Sequence, residues 1–392
     1  METIDRPKVA HAPSPSVARP ETRVPPEPHA PPRPARRKRL LRRETRVLSE
    51  LTPYVEIFHD DITRVRAYPP LQEATIELDG ETIEVEREPF AVPLVLVAPL
   101  AVNMGIYDFF PDRSLVRYLL ARGFRVYLVD WGRPEPRHDS LHLHDFFADK
   151  LPRALEAVRR HAGTRTLSLH GWSFGGLFSL SHTALGDPDV RNLVLVGAPC
   201  DYHANGALGK QYRRLSKPAR FVKETTGLGI HRTPRSLVRS PGWANSLGFK
   251  LLSPTATLQS YLELVRKRDD AEHLELHATH SAFLDDMTAY PGGVVQDIVQ
   301  FLVVDNCLAK GRLPMPTRRG AISDVKASLF LVAGTEDTIV APACTERILE
   351  LVGSRDVTAI RVPGGHLGIL GGSKAPGASW RPIADWLSVR SR

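Results

Sequence analysis

Cysteine is scarce in this chain of 392 residues: there are three, Cys200, Cys307 and Cys344, odd in number and far apart. Such usage excludes a disulfide framework and a zinc site of closely spaced thiols, and it points to a reducing compartment, the cytoplasm. Long apolar runs are missing too. The longest, Phe90 to Val102, is interrupted by Pro93 and Pro99 and is too short to span a bilayer as a helix. The first residues are polar and rich in proline, without the basic-then-apolar layout of a signal peptide. Aromatic residues are sparse, at 7%, and no stacking surface or recognition motif accompanies the basic charge, so nucleic acid is not an expected partner.

What is present is globular material with an appendage. A hydrophobic content of 42% over this length can bury a substantial core. Residues 1 to 43 hold eleven Lys and Arg against four Asp and Glu, so of the formal charge of +8 only +1 remains for everything beyond. The same stretch holds ten prolines and few bulky apolar residues, a composition that cannot recover the entropy of ordering, and residues 1–45 are expected to form a disordered tail. The tail ends in a basic run, Arg36, Arg37, Lys38, Arg39, Arg42 and Arg43. Either that run is a solvated linker, or with Val47, Leu48 and Leu51 it forms a basic amphipathic helix over 36–51 that associates weakly with an anionic or lipid-coated surface.

Ordered structure is expected from about residue 70, with 46–92 holding an N-terminal helix and a β-hairpin. The hairpin comes from Ile76, Leu78, Ile83 and Val85 alternating with polar residues about Asp79-Gly80. After it the pattern changes to short runs that are apolar almost throughout: Leu94 to Ala98, Val126 to Val129, Leu167 to Leu169, Leu193 to Val196 and Leu329 to Val332. These suit strands buried on both faces. Helical stretches alternate with them at Ser114 to Arg122, Asp145 to His161 and Thr345 to Val352, each closing on a glycine. Alternation of this kind means a doubly wound, mostly parallel α/β sheet.

Gly171-Trp172-Ser173-Phe174-Gly175-Gly176 falls directly after an apolar strand and before the helical Leu177 to Leu185. A nucleophile elbow needs a strained strand-to-helix turn with small residues two positions either side of the serine, and Gly171 and Gly175 meet that need. The pattern identifies the α/β-hydrolase fold, with a core over 93–200 and 326–392 and a cap inserted at 201–325. A serine hydroxyl needs a base, and the base an orienting acid; here they follow in that fold's chain order, acid then histidine, each in a loop after a late strand. Asp337, with Glu336 as its neighbouring alternative, follows the Leu329 strand, and His366 follows Val357 to Val362. The oxyanion hole is expected from the backbone N–H of Phe174 and one from the loop after Leu94 to Ala98, Leu100 or Ala101.

The stretches Val97 to Asn103, Ser114 to Leu119 and Gly123 to Trp131 resemble the opening half of the poly(3-hydroxyalkanoate) synthases. So do Gly248 to Pro254, Gly364-Gly365-His366-Leu367-Gly368 and the closing Trp380 to Leu387, a likeness running from about Pro93 to Leu387. The resemblance implies a catalytic Asp and His at Asp337 and His366, a 3-hydroxyacyl coenzyme A thioester as substrate and a second, partner synthase subunit. Association with storage inclusions in the cytoplasm, through the basic tail, is a further expectation. That family's elbow nucleophile is cysteine, where this chain has Ser173. An acyl-serine is an ordinary ester, more stable and less readily passed on than a thioester.

Three functions follow: an acyltransferase working through acyl-Ser173, a serine esterase, lipase or polyhydroxyalkanoate depolymerase with water as acceptor, and a non-catalytic binding protein on inclusions. Two histidine groups, His138, His142, His144 with Asp145, and His273, His277, His280, have spacings that a metal could use. Both adjoin charged residues without thiols and are expected to be solvated faces, so neither a metal nor a cofactor is implied.

Overall fold

The computed structural model describes residues 36–38, 44–252, 263–264, 266–267 and 270–392. The expected tail over 1–45 and the apolar stretch at 251–264 lie mostly outside these residues. Arg36–Lys38 (β1), the first part of the basic run, pairs antiparallel with Glu44–Arg46 (β2) in a two-stranded ribbon where the amphipathic helix was expected, and Arg39, Arg42 and Arg43 lie outside the described residues. Order also begins well before residue 70. Val55–Asp60 (β3) and Thr63–Ala67 (β4) form a hairpin turning at Asp61, where the sequence had suggested a helix. The reason is visible in β4: Val65 and Ala67 are buried, and Arg66 lies between them with its guanidinium 2.6 Å from Glu50 and 2.8 Å from Asp130. A paired buried arginine lets a charged stretch serve as a strand.

Thr75–Leu78 (β5) and Glu81–Glu84 (β6) form the hairpin about Asp79-Gly80. Then come Leu94–Val97 (β7), the short pair Asp108–Phe110 (β8) and Arg113–Ser114 (β9), Val126–Asp130 (β10), Leu167–Trp172 (β11), Val190–Val196 (β12), Ser328–Gly334 (β13) and Val357–Val362 (β14). Eight of these make one sheet, in the order β14-β13-β12-β11-β7-β10-β4-β3. From β14 to β10 every pair is parallel, and β4 and β3 join antiparallel at the far edge. Strands β7, β10 and β11 are buried along their whole length, as continuous apolar runs require when helices cover both faces.

The helix expected from Asp145 to His161 is divided. A wide turn over Phe146–Lys150 precedes the regular Leu151–Ala162 helix. Pro152 has no N–H to give to a carbonyl four residues back, and the ladder there changes register. Between β12 and β13 lies a largely helical segment, with helices at Gly206–Thr226, Gly242–Leu252, Ala271–Asp285 and Gly292–Asp297. Among the described residues no helix is long and apolar enough to cross a membrane.

Candidate active site

Strand β11 ends at Trp172, and the chain turns at Ser173 straight into the Phe174–Ala184 helix. Ser173 has φ +55° and ψ −125°, a left-handed conformation that a side chain enters at a cost of about 1–3 kcal/mol. The glycines around it have no room for anything larger. A Cβ on Gly175 would sit 1.9 Å from the carbonyl oxygen of Val97, and one on Gly171 2.5 Å from that of Gly175. A Cβ on Gly176 would meet that of Ala198 at 2.6 Å. The turn is therefore held tight by backbone packed on backbone, with the Ser173 N–H donating to Val196 at 2.9 Å.

The side chain so presented meets a histidine from the other end of the sheet. His366 Nε2 lies 2.9 Å from Ser173 Oγ, and His366 Nδ1 lies 2.7 Å from Asp337 Oδ2. Asp337 stands in the loop after β13 and His366 in the loop after β14, both buried. The second carboxylate oxygen of Asp337 accepts the N–H groups of Ile339 and Val340 at 2.9 and 2.8 Å. Two donors on one oxygen leave the other to face the imidazole. An ionised carboxylate accepts only, so Nδ1 carries the proton and Nε2 presents a lone pair to the serine hydroxyl. Glu336, the neighbouring alternative, is exposed.

Three further residues shape this arrangement, and the sequence reading did not single them out. Asn205 donates from Nδ2 to the carbonyl of Ile339 and accepts the N–H of Ala341, both at 2.7 Å, fastening the loop that follows Asp337. Trp172 donates its indole N–H to the carbonyl of His366 at 3.2 Å, its ring 5.3 Å from the imidazole. Gly197, at φ +54°, comes against the same ring. Trp172 and Gly197 each adjoin a recognisable strand end, which is the signal that could have found them; for Asn205 there was none.

The two expected oxyanion donors are differently placed. Phe174 is the first residue of its helix, where an N–H has no intrahelical partner and the helix dipole favours negative charge. Leu100 is buried in the stretch after β7, and contact of Val97 and Ala98 with Gly175 brings that stretch to the elbow. Parts of the inserted segment also reach it: the N–H of Thr288 donates to Ala101 at 3.3 Å, and the ring of Tyr290 stands edge-on to Phe174 at 6.1 Å.

The cysteines are elsewhere. All three are free and buried, and burial pushes the Cys307 and Cys344 thiols up to about 12, far from the thiolate a nucleophile requires. The histidine groups are only in part the solvated faces expected from their charged neighbours. His138 is 5% exposed and bonds Asp61 at 3.2 Å, and His277 is also buried. His280 packs its ring 4.7 Å from Phe109. Tertiary packing covers His138 and His277 against the local charge pattern, whereas His280 stays exposed beside its ring contact.

The sequence from residue 94 to 378 matches the family described as the alpha/beta hydrolase family. The chain belongs to this family. Within it the chain is similar to subunits of poly(3-hydroxyalkanoate) polymerase. It is 26% identical over 307 residues to that of Haloferax mediterranei, covering 77% of this chain and 60% of the relative's length. It is 26% identical over 300 residues to that of Allochromatium vinosum, covering 76% of this chain and 81% of the relative. Among solved structures, the monoacylglycerol lipase of Paleococcus ferrophilus aligns with a TM-score of 0.45 at 18% identity, over 79% of this hydrolase and all of that chain.

Proposed function

We propose that the protein is a polyhydroxyalkanoate synthase-like acyltransferase working on 3-hydroxyacyl thioesters or esters through an acyl-Ser173 intermediate. The observation that carries the reading is the unbroken hydrogen-bonded chain from Asp337 through His366 to Ser173. As Ser173 Oγ attacks the acyl carbonyl, His366 Nε2 takes the hydroxyl proton and Asp337 stabilises the imidazolium. The oxyanion meets the N–H of Phe174 and that of Leu100. On collapse the thiolate of coenzyme A leaves with the proton returned by His366. An alcohol then gives its proton to His366 as it attacks the acyl-serine, and on collapse the bond to Ser173 Oγ breaks, the imidazolium returns the proton to that oxygen and the alcohol carries the acyl group away.

The same steps with water as the final acceptor give a serine esterase, lipase or depolymerase-type hydrolase. Serine at the elbow favours this second reading, since an acyl-serine is an ordinary ester, less readily passed on than the thioester an elbow cysteine would hold, while hydrolysis through it is straightforward. The binding-protein reading has nothing comparable behind it, because an intact triad is idle there. Exposed apolar side chains on the inserted segment, Phe221, Leu237 and Trp243 at 67, 76 and 72% exposure, support a partner synthase subunit or a second copy of this chain. Inclusion association belongs to the same reading.

The test is purified protein given 3-hydroxybutyryl coenzyme A, with Ser173→Ala as control, following free coenzyme A and the mass of the acyl product. Serine-dependent release with oligomeric product is expected. Free hydroxy acid would make water the acceptor, and release that persists in Ser173→Ala would remove Ser173 from the chemistry.

A further inference from the structure

Away from Ser173, three side chains from distant parts of the sequence turn inward on one another. His142 stands in the core segment that follows β10, His231 in the short turn Ile230–Arg232 of the insertion, and Asp297 at the end of the Gly292–Asp297 helix. His142 Nδ1 lies 3.0 Å and His231 Nε2 2.8 Å from the same oxygen, Asp297 Oδ1. The three donor atoms all fall within 4.8 Å of one another. Only His142 belongs to the histidine group visible along the sequence; its partners are 89 and 155 residues further on.

We propose that His142, His231 and Asp297 bind one divalent transition-metal cation of the zinc class, which ties the inserted segment to the hydrolase core. The donor set decides the class of ion. Two imidazoles and a carboxylate suit zinc and its neighbours, whereas calcium and magnesium take oxygen shells. The spacing suits it as well. Ligands about 2.0 Å from a tetrahedral zinc stand about 3.3 Å apart, so the two separations from Asp297 Oδ1 need to open by only a few tenths of an ångström, and the two nitrogens already lie within 4.8 Å of each other. Asp297 is 1% exposed, and its other oxygen accepts the N–H of Leu143 at 2.9 Å, the kind of outer contact that fixes a ligating carboxylate.

Backbone packing brings the segments together independently of these side chains. A Cβ on Gly293 would lie 2.5 Å from the carbonyl of Leu141 and 3.2 Å from Cε1 of His142, so the insertion rests directly on the His142 loop. The His231 side chain is 36% exposed, which leaves a way in from solvent and a fourth position for water. Without a cation the two imidazoles donate N–H groups to the carboxylate; on binding, each neutral ring carries its proton on the other nitrogen and turns the freed lone pair to the cation. The inference is independent of the chemistry proposed for Ser173.

The experiment is titration of the full chain, stripped with a chelator, with Co2+ alone, read by visible d–d absorption and then by displacement with Zn2+. One equivalent of tetrahedral Co2+ is expected in the wild-type protein. Apparent affinity should fall by at least about 100-fold in His142→Gln and His231→Gln, since outer-shell changes alone cost 10 to 100-fold. His144→Ala, whose ring stacks 5.7 Å from His142 outside the donor set, should bind as the wild type does. Zn2+ should raise the melting temperature of wild type and leave that of His231→Gln unmoved. His231→Gln is the decisive variant because its side chain is partly exposed, and circular dichroism establishes that it folds. No stoichiometric tetrahedral band in the wild type, or an undiminished band in folded His231→Gln, overturns the proposal.

Discussion

A Cβ placed on Gly197 would lie 3.3 Å from both Cε1 and Nδ1 of His366. The imidazole thus has glycine on one side and the ring of Trp172 near it, and its position depends on a side chain being absent. Gly197→Ala adds that side chain at a residue whose φ of +54° already disfavours it. We expect kcat to fall by roughly 100-fold with KM little changed, the cost of a displacement of about 1 Å in a catalytic group. Steady-state kinetics alongside a thermal melt measure it, and an unaltered kcat in the folded variant would show that this wall does not position His366.

The two neighbouring acids separate cleanly. Asp337→Asn should lower kcat by about 10⁴-fold, because an amide in that place lets the wrong imidazole tautomer form. Glu336→Gln, on an exposed side chain, should leave it near the wild-type value. Equal losses in the two variants would mean that the acid has been misassigned.

Asn205 offers a test of the loop and not of the chemistry. Asn205→Ala strands the carbonyl of Ile339 and the N–H of Ala341, each worth about 1–3 kcal/mol when left unpaired in a buried place. Denaturant unfolding should show a loss of that order, together with a lower kcat as Asp337 loosens. Retained stability in Asn205→Ala would indicate that water replaces both bonds.

Acid sensitivity should trace to His170, inside β11. Burial pushes its imidazole down to about 4, and neither ring nitrogen has a hydrogen-bond partner among the described residues. Above its ordinary value near 6.5 the group is neutral in both states and stability does not vary with pH on its account. As pH falls below that value the unfolded chain takes up a proton that the folded one refuses, so stability drops progressively until about pH 4. Between about pH 7.5 and 5 the loss is of the order of 2 kcal/mol, and His170→Leu should abolish most of it. Urea titrations at the two pH values decide, with an equal acid loss in both proteins pointing to other groups.

The parallel core and the elbow were legible because each rests on local sequence: uninterrupted apolar runs, and glycines whose spacing the turn dictates. Asp337 and His366 followed from chain order and strand ends. The N-terminal strands were not legible, since Arg64 and Arg66 disguise β4 until Glu50 and Asp130 are seen to neutralise Arg66. Nor was the meeting of His142 with His231 and Asp297, for no periodicity links residues whose closeness depends on how the insertion folds back. The break at Pro152 was written in the sequence, and its apolar surroundings masked it.

The left-handed turn at Ser173 sets two selective pressures against each other at one residue. Glycine would occupy that conformation at ease, so Ser173→Gly should relieve the strain and yield a more heat-resistant molecule with no nucleophile. In a lineage screened for thermal endurance alone, the elbow serine would be among the first residues to drift. Its persistence under a screen for turnover would then record how much robustness the protein forgoes to keep one hydroxyl in place.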